Sequence, residues 1–250
     1  MATWTWASAS VRGTSHSELG ENRQDAFRVL AARNGMLVAV VCDGAGSATY
    51  GRYGAVLAAR ALSNCAQDWI GDQQTIPGPA EIETWVEDAS QIIAGAAERI
   101  DAAERDFATT LVMAVSDGEK TITAHVGDGA IVARCRHSQQ LLDLSWPDNG
   151  DYAATTFFLT DPSPRLRIGL ANGFAIDRLA LMTDGLERLA LNFLDRTAHA
   201  PFFDAMFRVL PGAGCGCDAP LSRQLAAFLA SDHVNGRTDD DKTLILAACA

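Results

Sequence analysis

Apolar residues along this chain change their spacing several times, and each change marks an element. Residues 27–41 hold two apolar runs, the second Leu37-Val38-Ala39-Val40-Val41, with Arg33-Asn34-Gly35 between them; the pattern predicts a hairpin. Over 54–70 the apolar positions Val56, Leu57, Ala61, Leu62, Cys65 and Trp69 recur at helical spacing. Ile76-Pro77-Gly78-Pro79 breaks the chain, and a second helix is predicted over 80–104, with Ile82, Trp85, Val86, Ala89, Ile92, Ile93, Ala96 and Ile100 on one face. The period then shortens. Residues 109–115, 121–126, 130–136 and 140–144 read as strands joined by turns such as Ser116-Asp117-Gly118. Residues 145–173, rich in Pro, Gly, Asp and Asn, predict irregular structure around 155–159. Residues 174–183 return to strand, 186–232 read as helical with a break at Pro211-Gly212-Ala213-Gly214, and 243–248 form a last strand.

Strands, a helical pair, a meander, more helices and a final strand make an α+β order without the βαβα alternation of a parallel doubly wound sheet. No repeat or long linker divides the chain, so residues 1–250 are expected to form one domain, with a helical insertion at about 186–232. Composition narrows the function more than the fold. A hydrophobic share of 48% suits a globular core, while a net charge of −11 argues against nucleic-acid and anionic-membrane partners. No apolar run approaches the ~18 residues that cross a bilayer, and Met1-Ala2-Thr3-Trp4-Thr5-Trp6 has no secretory pattern. Cysteines 42, 65, 135, 215, 217 and 249 show no regular spacing, as for reduced thiols in a cytoplasmic protein.

The candidate chemistry lies in four acidic motifs: Cys42-Asp43-Gly44-Ala45-Gly46, Val126-Gly127-Asp128-Gly129, Met182-Thr183-Asp184-Gly185 and Thr238-Asp239-Asp240-Asp241-Lys242-Thr243. Asp43 and Asp184 end apolar runs and Asp240 precedes one, so buried strands would deliver carboxylates to one rim. Hard oxygen ligands so gathered suit Mg²⁺ or Mn²⁺ rather than zinc. Taken singly, each Asp-Gly is also ordinary turn chemistry, and three consecutive aspartates are also a solvated acidic loop. Cys217 and Arg223 have the spacing of a cysteine-phosphatase loop, but Asp218 would repel phosphate and Pro220 removes a cradling amide. Asp43 is not followed by the second aspartate of a haloacid-dehalogenase site, and no Gly-x-Ser-x-Gly elbow is present.

In order, Gln24-Asp25-Ala26-Phe27, Asp43-Gly44, Thr109-Thr110-Leu111, Gly127-Asp128-Gly129, Thr183-Asp184-Gly185 and Asp240-Asp241-Lys242-Thr243 resemble the metal-dependent protein serine/threonine phosphatases, the PPM or type 2C family. Gly13-Thr14-Ser15-His16 and Asn149-Gly150-Asp151-Tyr152-Ala153 resemble a compact bacterial branch. The resemblance implies a β-sandwich of two mainly antiparallel sheets flanked by helices, with a site for two Mn²⁺ or Mg²⁺ ions at one end. It implies that Asp43 bridges the metals, that Asp184 and Asp240 complete one, that the Gly44 carbonyl serves the other, and that Asp25 acts through bound water. Asp128, with Asp184, matches the residues of a third, looser metal. The implied reaction is direct attack of metal-activated water on phosphoserine or phosphothreonine, with no phosphoenzyme, opposite a cognate kinase and by a monomer.

Three positions depart from better-known members: Gln24 replaces a glutamate, Gly20 a phosphate-clamping arginine, and Ala45 a histidine. Arg12, His16 and Arg23 are the candidates to replace the lost cation. The same losses support a rival reading, a pseudophosphatase that binds phosphoproteins or a kinase without turnover. Retention of Asp43, Asp128, Asp184 and Asp240 argues against it, because carboxylates crowded at one rim are costly without cations.

Overall fold

The computed structural model describes residues 2–32, 34–148, 156–211 and 214–250. Strands and helices are numbered along the chain. One sheet carries, in spatial order, β12 (Gly216–Cys217), β1 (Trp4–Val11), β13 (Lys242–Cys249), β9 (Ile176–Met182), β6 (Ala130–Cys135) and β7 (Leu141–Ser145). The other carries β2 (Ala26–Ala31), β3 (Leu37–Cys42), β4 (Leu111–Ser116), β5 (Thr121–Val126) and β8 (Arg167–Ala171). Neighbouring strands are antiparallel except β1 and β12, which run parallel. Helices α2 (Gly51–Gln73) and α3 (Pro79–Arg99) cover the second sheet; α5 (Ala200–Arg208) and α6 (Ala219–Leu229) cover the first. Short helices α1 (Thr14–Glu18), α4 (Glu187–Ala190) and α7 (Asp232–Asn235), and a hairpin of β10 (Leu191–Asn192) and β11 (Thr197–Ala198), complete the four layers.

Side-chain alternation explains why the strands read as unbroken apolar runs. On β3, Leu37, Ala39 and Val41 face the opposing sheet while Val38, Val40 and Cys42 face the helix layer, and all six are fully buried. On β13, Ile245, Ala247 and Cys249 face inward and Leu244, Leu246 and Ala248 meet α5 and α6. The inner layer also takes Trp4, Val112, Ile131 and Leu181, so both sheets share one core.

Several elements differ from the sequence expectation. The second helix ends at Arg99, and a 3-10 turn, Glu104–Phe107, follows. Strand β1 escaped the hydrophobic reading because its inner positions run Trp4, Trp6, Ser8, Ser10, apolar at one end only. Strand β8 lies inside the stretch expected to be irregular; it is a half-exposed edge strand containing Gly169, made regular by pairing with β5. The 186–232 stretch holds helices and also the β10–β11 hairpin, whose turn is built by Asn192, its side-chain oxygen accepting from the Leu194 and Asp195 amides at 3.2 and 3.5 Å. Its helices α5 and α6 lie flat on the outer face of the first sheet because Phe203, Phe207, Leu225 and Leu229 bury there. Residues Asn149 to Ala153 of the bacterial-branch motif lie outside the described residues.

Candidate active site

The inward-facing rows turn polar at one end of the sandwich. Continuing the inner parity of β2, β3, β9 and β13 past their apolar positions gives Asp25, Asp43, Thr183, and Thr243 with Asp241. Asp25 is buried, its Oδ2 accepting from the Thr183 hydroxyl at 2.9 Å and the Thr243 hydroxyl at 2.5 Å. The Asp43 backbone is held on both sides: Thr110 Oγ1 accepts from its amide at 3.0 Å, and its carbonyl accepts from the Thr110 amide at 2.8 Å and the Thr109 hydroxyl at 2.9 Å. Thr109 and Thr110 are therefore positioning residues for the strand end rather than plain packing. Two glycines permit close approach: a Cβ at Gly44 would strike the Gly51 backbone, and one at Gly185 the Asp241 carbonyl.

A cavity of about 440 Å³ opens at this end, lined by His16, Asp43, Gly44, Asp128, Asp184 and Asp240, with Thr156 and Phe158 reaching in from the chain after β7. Asp128 accepts from the Thr156 hydroxyl at 2.6 Å. Every carboxyl in the group is harder to ionise than in water. Burial pushes Asp25 up to about 6, and the hydroxyl donors pull against that rise. Burial also raises Asp43, reinforced by the charges of Asp25, Asp184 and Asp240. Asp184 is raised by burial, then by Asp128, Asp240 and Asp25, and burial raises Asp128 and Asp240 as well. Glu187, which sequence reasoning passed over, joins the set, raised by burial and by Asp128 and Asp240. Its only signal in the sequence is a position three residues beyond Asp184.

Whether these residues suit divalent cations can be judged from the donors themselves. Asp25 Oδ1 and Asp184 Oδ1 are buried oxygens without a hydrogen-bond partner, an arrangement that is costly unless a cation or water meets them. The set is all oxygen, as Mg²⁺ and Mn²⁺ prefer. Among the described residues no three His, Cys, Asp or Glu side chains close on a single point as a finished cage. Like charges that raise one another's proton affinity also hold the carboxyls apart. The donor set fits the ions.

The N-terminal loop is pinned to this end by Asp241. That carboxylate is 1% exposed, accepts from the Gly13 amide at 2.7 Å and the Gln24 amide at 2.5 Å, and lies 3.1 Å from His16 Nδ1. Of the acidic triplet, Asp239 is exposed, Asp240 sits at the rim, and Asp241 is structural. Lys242 is buried, donates to the Asn235 side-chain oxygen at 2.9 Å, and is held below the usual ammonium range by that burial. The three candidates for phosphate divide. His16 lines the cavity; Arg23 spends its guanidinium on the carbonyls of Asp25 and Ser10, at 3.1 and 2.7 Å; Arg12 is exposed and donates to the Glu21 carbonyl at 3.0 Å.

A family model described as Protein phosphatase 2C matches residues 12–230. This chain belongs to the protein phosphatase 2C family. A curated relative, serine/threonine-protein phosphatase 3 of Escherichia coli (strain K12), is 37% identical over 255 residues, covering 99% of each chain. Among solved structures, the catalytic domain of the serine/threonine protein phosphatase PstP in complex with two manganese ions has a TM-score of 0.69 at 20% identity, covering 100% of each chain. Stp1 from Staphylococcus aureus has a TM-score of 0.64 at 19% identity, covering 97% of this chain and 94% of that one. At those identities the structures speak for the fold, a protein phosphatase 2C sandwich of two sheets flanked by helices.

Two departures from better-known protein phosphatase 2C members have visible consequences. Gln24, with its amide nitrogen turned toward acceptors, donates to the carbonyls of Gly44 at 3.1 Å and Ala45 at 2.9 Å, a role a carboxylate cannot fill. The same turn brings its side-chain oxygen to the atom position 3.5 Å from His16 Nε2. Gly20 sits with a φ of 71° and no heavy atom near its missing Cβ, so the usual arginine's place is open surface. It borders a second cleft, of about 730 Å³, with Gln24, Ser47 and Arg52.

Proposed function

We propose that this protein hydrolyses phosphoserine and phosphothreonine in polypeptides with water activated by two Mn²⁺ or Mg²⁺ ions, reversing the action of a serine/threonine kinase. The observation that carries the reading is the set of carboxyls, Asp25 and Asp128 buried and Asp43, Asp184 and Asp240 half-buried, gathered at one end of a protein phosphatase 2C sandwich with two carboxylate oxygens left unpaired. The full-length relative named as a serine/threonine-protein phosphatase supports the same substrate class.

Asp43, the Gly44 carbonyl, Asp184 and Asp240 would hold the two ions, and Asp128 with Asp184 a third. Bound there, divalent cations lower the pKa of water and neutralise charge on phosphoryl oxygens. The protein's own part is placement. Strand β3 and the two threonines fix Asp43, and Gln24 orients the Gly44 carbonyl through its amide. Asp25 offers Oδ1 to a site water while Thr183 and Thr243 occupy Oδ2. His16, oriented by Asp241, is the cavity's imidazole and donates to a phosphate oxygen; Arg12 and Arg23 serve the loop that carries it. Among the described residues no helix is long and apolar enough to cross a membrane.

The test is hydrolysis of p-nitrophenyl phosphate and of a phosphothreonine peptide with Mn²⁺, with Mg²⁺ and with EDTA, beside Asp43→Asn. Turnover that needs the ion and is lost in the variant supports the reading. Mn²⁺ binding by calorimetry without turnover on either substrate would replace it with a pseudophosphatase.

A further inference from the structure

In a protein of net charge −11, a cavity of the opposite character stands out among the described residues. Beside the β10–β11 hairpin, about 480 Å³ is lined by Arg188, Arg237, His199 and His233, with Phe193 and Phe202 among its apolar walls. All four nitrogen-bearing side chains are exposed, and none forms a salt bridge among the described residues. At the hairpin tip Phe193, edge-on to Trp146 with ring centroids 5.7 Å apart, is 44% exposed and Leu194 97%, forming an apolar lip.

The cavity adjoins the carboxylate site through both chain segments that build it. Arg188 follows Asp184 by four residues and Arg237 precedes Asp240 by three, which limits the Cα separations to roughly 14 and 11 Å. Glu187 links the two places, since its carboxyl feels Asp128 and Asp240 on one side and Arg188 on the other. An extended polypeptide advances about 3.3 Å per residue. A chain whose phosphorylated residue lies at the carboxylates therefore reaches the cavity about two to four residues further on.

We propose that this cavity binds a second phosphoryl group on the same substrate polypeptide, so that the enzyme favours doubly phosphorylated segments. The proposal rests on the reading of the chain as a phosphoprotein phosphatase and deepens it. Two planar guanidinium forks beside two imidazoles suit a dianion with three acceptor oxygens better than a single carboxylate, and the apolar lip gives the intervening peptide a surface. Carboxylates crowd the catalytic end, so a phosphopeptide meets attraction at flanking cations, among them these arginines and Arg52 of the opposite cleft.

The experiment compares three phosphothreonine peptides with phosphoserine, glutamate or glutamine three residues away, using wild type and the double variant Arg188→Gln/Arg237→Gln. Steady-state kcat/KM is measured with Mn²⁺, and binding to the Asp43→Asn background by fluorescence anisotropy, which reads the cavity whether or not turnover occurs. The wild type should favour the phosphoserine peptide over the glutamine peptide about tenfold, and the double variant should erase that preference while p-nitrophenyl phosphate turnover stays unchanged. Equal ratios in wild type and variant overturn the proposal, as does an equal gain from glutamate, which would make the cavity a general anion site. Absence of turnover with a preference still visible in anisotropy would overturn the catalytic reading and leave the cavity standing.

Discussion

Asp241→Asn is the substitution whose outcome follows most directly from the structure. The wild-type carboxylate is buried and receives the Gly13 and Gln24 amides, one on each oxygen, with the His16 ring beside the first. An asparagine has a single acceptor oxygen, so its NH₂ must face one of those backbone N–H groups. Leaving a buried donor unpaired costs about 1–3 kcal/mol, and the surviving bond falls from charge-assisted to neutral at about 1 kcal/mol more. The sum is roughly 2–4 kcal/mol, or roughly 5–15 °C in Tm for a chain of this size. Thermal unfolding should be followed in EDTA and again at one fixed Mn²⁺ concentration, because ligand binding to the native state shifts Tm by mass action. The exposed neighbour substitution Asp239→Asn should stay within about 0.5 kcal/mol. A Tm for Asp241→Asn within about 1 °C of wild type in both conditions would refute the claim that this carboxylate pins the N-terminal loop. Turnover of p-nitrophenyl phosphate should fall with stability, since His16 and Gln24 ride on that loop.

Asp43→Asn and Asp184→Asn should each abolish metal-dependent turnover, yet each should raise Tm in EDTA, because a buried carboxylate repelled by its neighbours becomes neutral; a lower Tm in EDTA for both would contradict the electrostatic picture. Stability in EDTA should fall as pH rises from 5 to 8. Asp25, raised from 3.8 to about 6, binds its proton more tightly folded than unfolded, so its contribution is present at low pH and lost as pH climbs through 6. The full shift is on the order of 3 kcal/mol, of which about 1.4 kcal/mol falls between pH 5 and 8; urea titrations that are flat over this window, or sloped the other way, would oppose it. Saturating Mn²⁺ should flatten the profile. Gly44→Ala would push a methyl into the Gly51 backbone, and we expect a loss of about 1–3 kcal/mol together with weakened Mn²⁺ affinity by calorimetry; unchanged affinity would remove the Gly44 carbonyl from the ion site.

The order of elements was enough to expect an α+β fold, the resemblance carried by the ordered aspartate motifs implied the two-sheet sandwich, and the family fold agrees. Unbroken apolar runs marked β3 and most of β13, because a strand buried on both faces needs apolar side chains on both. The residues between elements were harder. Asp239, Asp240 and Asp241 are chemically identical in sequence, and only the register of β13 against β1 and β9 turns the last inward to hold the loop while Asp240 stays at the rim. In sequence, arginine was the better bidentate candidate and His16 the lesser one; the structure shows Arg23 bonded to the carbonyls of Ser10 and Asp25, Arg12 to that of Glu21, and His16 lining the cavity. Strand β8 and the basic cavity likewise needed the tertiary structure, since each depends on residues distant in sequence. Local spacing encodes which face a side chain takes along one strand or helix. Which strand ends meet, and so which charges stand within reach of one another, is decided by packing the two sheets together.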